Sequence, residues 1–93
     1  MASYYHVYIS PKQGITREEI EKKLSIAIDW FRYDNKCWIL YTTSDAKKWY
    51  SRLQAFVEPG GYLLIHKLDP SDYWGFMSKH LWDWIKKDKD KKQ

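Results

Sequence analysis

Trp30-Phe31-Arg32-Tyr33-Asp34-Asn35-Lys36-Cys37-Trp38-Ile39-Leu40-Tyr41-Thr42 is the stretch on which the fold turns. Two runs rich in aromatic and β-branched residues, 30–33 and 36–42, flank the turn-forming pair Asp34-Asn35, which is the pattern of a β-hairpin. The second run is apolar on both parities from Cys37 to Tyr41, as expected of a central strand covered on both faces.

Working outward from this hairpin, the preceding segment carries Ile20, Leu24, Ala27 or Ile28, and Phe31 at helical intervals, with Glu18, Glu21, Lys22 and Lys23 between them. Thr16 and Glu19 have the spacing of a capping box, so the spacing predicts an amphipathic helix with a defined start. Before it, Tyr4-Tyr5-His6-Val7-Tyr8-Ile9 favours a strand, broken by Pro11 and Gly14. On the far side, Ser44 is placed to cap a second helix carrying Ala46, Trp49, Tyr50, Leu53 and Phe56, with Pro59-Gly60-Gly61 as its stop. Residues 62–68 form the fourth strand, and Asp69-Pro70 ends it. The order β-α-β-β-α-β with right-handed crossovers predicts an α+β, ferredoxin-like domain: a four-stranded antiparallel sheet in the order 4-1-3-2, with two helices on one face. A short Trp-rich helix follows at about 78–87, with Ser78 as its cap. The predicted organisation is a single domain over 1–87 and a basic, frayed tail over 88–93.

The composition narrows what such a domain can be. Its 93 residues provide one core, and 6 Trp, 8 Tyr and 3 Phe are too many aromatics for all of them to be interior. The net charge of +4 would suggest a polyanion partner, but the last eight residues hold five Lys and two Asp, so the body is nearly neutral. Cys37 is the single cysteine, which excludes an internal disulfide and a cysteine metal knuckle. No apolar run approaches the ~18 residues of a membrane span, and the amino terminus lacks the layout of a signal peptide. The expected location is the cytoplasm.

The segments Asp29-Trp30 through Tyr33, Trp38-Ile39-Leu40, Tyr73-Trp74-Gly75-Phe76 and Trp82-Asp83-Trp84-Ile85 together resemble small uncharacterised SinR-like proteins. Those are similar in fold to the small ferredoxin-like subunit of the CRISPR adaptation complex. The resemblance implies the fold and no activity. In that subunit an Asp at the end of the first strand serves metal-dependent cleavage, whereas here the strand ends Tyr8-Ile9-Ser10 and the first acidic residue is Glu18. A hard cation needs carboxylate oxygens, so a metal-dependent nuclease is the weakest alternative.

No other catalytic constellation is legible. His6 and His66 can meet across antiparallel first and fourth strands, but without a cysteine or carboxylate partner a zinc site would be incomplete. Cys37 in a central strand is expected to act as a small buried hydrophobe, not a nucleophile. There is no phosphate-binding glycine loop, and 10–14 does not supply the glycine-bounded, Arg-containing loop of acylphosphatases.

Two binding readings remain. Alternation places Tyr4, His6 and Tyr8 on the sheet face opposite the helices; beside Trp38, and with Arg32 and Lys36 near, they would form a stacking platform for RNA or DNA. The glycine-aromatic signature of RNA-recognition motifs is missing from the third strand. The leading expectation is instead a non-enzymatic protein-interaction module, self-associating as a homodimer or gripping a protein partner through Tyr73, Trp74, Phe76, Met77, Trp82 and Trp84. A small inhibitor or accessory protein linked to a mobile element or defence system falls within this class. The alternative for the Trp-rich segment is that it folds back over its own sheet. Neither reading calls for a metal, a cofactor or a membrane.

Overall fold

The computed structural model describes residues 1–89. Strand β1 spans Ser3–Ser10, helix α1 Arg17–Leu24, β2 Asp29–Asp34, β3 Cys37–Thr42, α2 Ala46–Leu53, β4 Tyr62–Leu68 and α3 Lys79–Lys86, with a 3-10 turn at Gln54–Phe56. The four strands form one antiparallel sheet in the order β2-β3-β1-β4, the ferredoxin-like arrangement anticipated from the sequence. β1 and β3, the two strands with fully buried positions, occupy the centre.

The capping box is formed: the Glu19 N–H donates to Thr16 Oγ1 and the Thr16 N–H to Glu19 Oε1, both at 3.2 Å. The helix it starts is shorter than its periodicity suggests. Ser25 turns its hydroxyl back to the Glu21 carbonyl, 2.9 Å away, and β2 begins at Asp29. Ala27 still reaches the core, but Phe31 belongs to the opposite face. The cap of α2 is Asp45, not Ser44: its carboxylate accepts the Lys48 N–H at 2.9 Å, while Ser44 accepts from the Arg52 guanidinium at 3.0 Å. This helix ends at Leu53, before Pro59-Gly60-Gly61, which forms the approach to β4. There Gly61 is required by space, since a Cβ would lie 2.4 Å from the Ser10 carbonyl oxygen.

On the front of the sheet, α1 and α2 close a core of Val7, Ile9, Ile20, Leu24, Trp38, Leu40, Trp49 and Leu53. Each fully buried aliphatic side chain there contributes roughly 1.5–3 kcal/mol. The indole N–H groups find acceptors, as buried tryptophans require: Trp49 donates to Thr42 Oγ1 at 3.1 Å and Trp38 to Glu21 Oε2 at 3.0 Å.

The reverse of the sheet is not left open. Helix α3 folds back over it, so the Trp-rich segment closes its own domain with one side. Leu81, Trp84 and Ile85 pack on Tyr4 and Ile39, with Phe31, Tyr41 and Leu68 around them. Trp84 stacks on Phe31 at 5.7 Å between centroids and donates its N–H to Asp29 Oδ2 at 2.9 Å. The Tyr4 hydroxyl donates to the Ile85 carbonyl at 3.1 Å. The Lys89 ammonium returns to the helix end, donating to Tyr4 Oη at 2.8 Å and to the Trp84 carbonyl. A cation at the last carbonyls compensates the negative end of the helix dipole. Of the expected tail over 88–93, residues 90–93 lie outside the described residues.

Candidate interaction surface

Because α3 lies over the β2–β3 side, it covers the reverse face unevenly. The connection from β4 decides where the rest goes. After Pro70 the chain is turned by Asp69, whose carboxylate accepts the Ser71 N–H at 2.9 Å and the Ser71 hydroxyl at 2.7 Å. Those bonds hold the Asp69 carboxyl below its usual range. Residues 73–77 then run without helix or strand to α3, pinned by Tyr73, whose ring stacks on Trp82 at 5.6 Å and 12°.

Between these anchors the side chains of Trp74 and Phe76 stand wholly in solvent, at 102% and 99% of their maximal exposure, with Met77 partly exposed beside them. They rim an apolar cleft of about 270 Å³ that runs between this segment and the sheet and reaches His6, Tyr33 and Leu68. Two solvated aromatics of ~150–250 Å² each make an apolar patch of the size that marks interaction sites on monomers.

The part of the reverse face that α3 misses carries a polar cluster. His6 and His66 sit directly opposite in the β1–β4 register, their rings stacked at 5.1 Å. His6 Nε2 and the Tyr33 hydroxyl share a hydrogen bond of 2.5 Å, while His6 Nδ1 is buried without a partner among the described residues. Burial, and secondarily the neighbouring His66, hold His6 below its ordinary value of 6.5. Burial first, then a hydrogen bond with Cys37, pushes the Tyr33 phenol up to about 12. The Cys37 thiol meets this phenol. Among the described residues no three His, Cys, Asp or Glu side chains come together to hold a metal ion. None of the helices there is long and apolar enough to cross a membrane.

The residues singled out from sequence are divided by this geometry. Of the aromatic set, Trp74, Phe76 and Met77 face solvent, Tyr73 and Trp82 are half-buried against each other, and Trp84 is in the reverse core. The stacking platform is not assembled. Trp38 pairs with Val7 in the register and shares its front face, where it is only 1% exposed. Tyr4 lies under α3, and Arg32 is bound to Glu21 at 3.3 Å. His6 and Tyr8 remain half-buried on the reverse face, with Lys36 exposed at the hairpin turn. The error for Trp38 was one of parity: a one-residue difference in register exchanges the faces of a strand. Sequence reasoning missed Tyr62 and Leu64, which are exposed on the open half of that face. Their alternation with Leu63 and Ile65 was the available signal. Comparison with known protein families, with curated proteins and with solved structures returned no match.

Proposed function

We propose that this chain is a non-enzymatic binding module that grips a protein partner with the ridge formed by Trp74, Phe76 and Met77. The observation that carries this reading is the full exposure of two large aromatics on a segment pinned at both ends. The Tyr73–Trp82 stack fastens the backbone beside them, so less backbone entropy is lost on association. Trp is among the residues that most often dominate binding energy when a partner desolvates it.

The test is affinity capture from an extract of the organism that carries the gene, comparing the wild type with Trp74→Ala/Phe76→Ala. A specific protein retained by the wild type should be lost at least tenfold in the double variant, with an unchanged circular dichroism spectrum. Retention of the same proteins by both would sink the proposal. RNA or DNA binding is the second reading, but Tyr4 and Trp38 are buried and Arg32 is engaged by Glu21.

A further inference from the structure

The sheet ends in two edge strands, and they are protected to different degrees. β2 is interrupted by a register irregularity between Arg32 and Asp34 and carries three charged side chains, Asp29, Arg32 and Asp34. Bulges and charges of this kind are how natural sheets prevent edge-to-edge pairing. β4 has no bulge, and its single lysine, Lys67, stands next to its end. Its seven residues, Tyr62-Leu63-Leu64-Ile65-His66-Lys67-Leu68, pair with β1 in unbroken register and contain no proline, glycine or bulge. Among the described residues no strand lies on its outer side. Alternate residues therefore direct backbone N–H and C=O groups outward without a strand partner.

Both faces are apolar along this same edge. On the reverse side Tyr62 and Leu64 are 72% and 59% exposed. On the front, Leu63 and Ile65 line a groove of about 250 Å³ with Ala46 and Tyr50 of α2, and Lys47 at its rim. A strand added outside β4 would continue the sheet beneath α2 and cover all four β4 positions.

We propose that the occupant is a second copy of this chain, its β4 antiparallel to the first about a two-fold axis at Leu64, giving one continuous eight-stranded sheet. An antiparallel self-pairing must suit the sequence read against its own reverse, and this one does. Leu64 meets its own copy, Leu63 meets Ile65 and Tyr62 meets His66, so each opposed pair from 62 to 66 is apolar or aromatic. Lys67 falls opposite Gly61, and the two lysines are six positions apart, roughly 20 Å at ~3.4 Å per residue. At that separation they are screened from each other. An axis at His66 would oppose the two imidazoles and bring the lysines within two positions, so charge selects the register as well as the partner. An interface of one strand a side is at the small end of specific contacts, below ~1,200 Å² in all, and implies reversible association. This surface is separate from the Trp74–Phe76 ridge.

Sedimentation equilibrium of the full chain at roughly 10 and 300 µM, a range that spans weak dimers, should show the average mass rising toward twice that of one chain. Leu64→Lys, which opposes two ammonium groups on the axis, should weaken dimerisation at least tenfold, whereas Trp74→Ala should leave it unchanged. In a Cys37→Ser background, Leu64→Cys should form a covalent dimer on mild oxidation much faster than Lys22→Cys on exposed α1. That variant decides the matter if Leu64→Lys fails to fold. A single-chain mass at both concentrations would overturn the proposal. So would a dimer that Trp74→Ala abolishes and Leu64→Lys does not, or equal cross-linking of the two cysteine variants.

Discussion

On the front of the sheet Trp38 and Trp49 are sealed beneath two helices, whereas on the reverse Trp84 is covered by one short helix and Trp74 by none of the described residues. The difference follows from how each layer is attached. α1 and α2 are crossovers between strands of the same sheet, so chain connectivity forces them onto the front face. α3 follows β4 through a ten-residue connection over 69–78 and does not cross between strands of this sheet, so no such constraint holds it on the reverse. The front layer is fixed by topology; the reverse layer holds by whatever contacts Leu81, Trp84 and Ile85 make.

The largest expected effect is a difference in what one leucine is worth on the two sides. Leu53→Ala, in the front core, should cost about 3–4 kcal/mol, and Leu81→Ala, under α3, about 2 kcal/mol. Urea unfolding of both variants measures this. Local opening should follow the same ranking, with α3 amides exchanging through a partial unfolding that leaves the β1 and β3 amides protected. Equal losses and equal protection would mean the two layers form one cooperative unit.

That asymmetry also separates what was legible in the sequence from what was not. The sheet order and the positions of α1 and α2 were readable, because hairpin, capping box and periodicity all encode local geometry that connectivity then assembles. The end of α1 was not: Leu24, Ala27 and Phe31 keep helical spacing, yet they serve a helix, a turn and the opposite face of β2. The ridge was only partly readable. An amphipathic run such as 81–85 shows that one side is buried, but the surface that buries it lies on strands far away in the chain. Trp74 and Trp84 therefore look equivalent in sequence and differ completely in exposure. Tyr62 and Leu64 escaped notice because an apolar strand gives no sign of being at an edge until its neighbours are known.

A smaller effect should come from mild acid, through His6 on the reverse face. His6 is held below 6.5 in the folded chain, chiefly by burial and then by His66. Above pH 6.5 the imidazole is neutral in both states and its contribution to stability is fully present. As pH falls through 6.5 the unfolded chain takes up the proton first, so stability declines until the folded value is passed. His6→Gln should flatten this part of the profile, and the His6 ring protons should titrate below 6.5 by NMR. An identical acid limb in wild type and variant would remove His6 as its cause. No histidine lies in the front core, so no matching dependence is expected from that side.

The smallest effect on the fold is expected where the aromatics are largest. Trp74→Ala and Phe76→Ala should each change stability by no more than about 0.5 kcal/mol, as surface substitutions usually do, because neither side chain is covered by any part of the chain described. Thermal denaturation checks this directly. Tyr73→Ala should differ from both, since its ring is the one that fastens the segment to Trp82. If removing Trp74 or Phe76 cost as much as removing Tyr73, the ridge would be part of the domain's own packing and would need no partner to explain it. If the cost is negligible, two large apolar rings are held in water at no benefit to the fold. The unfavourable hydration of that surface is then relieved only when something else covers it.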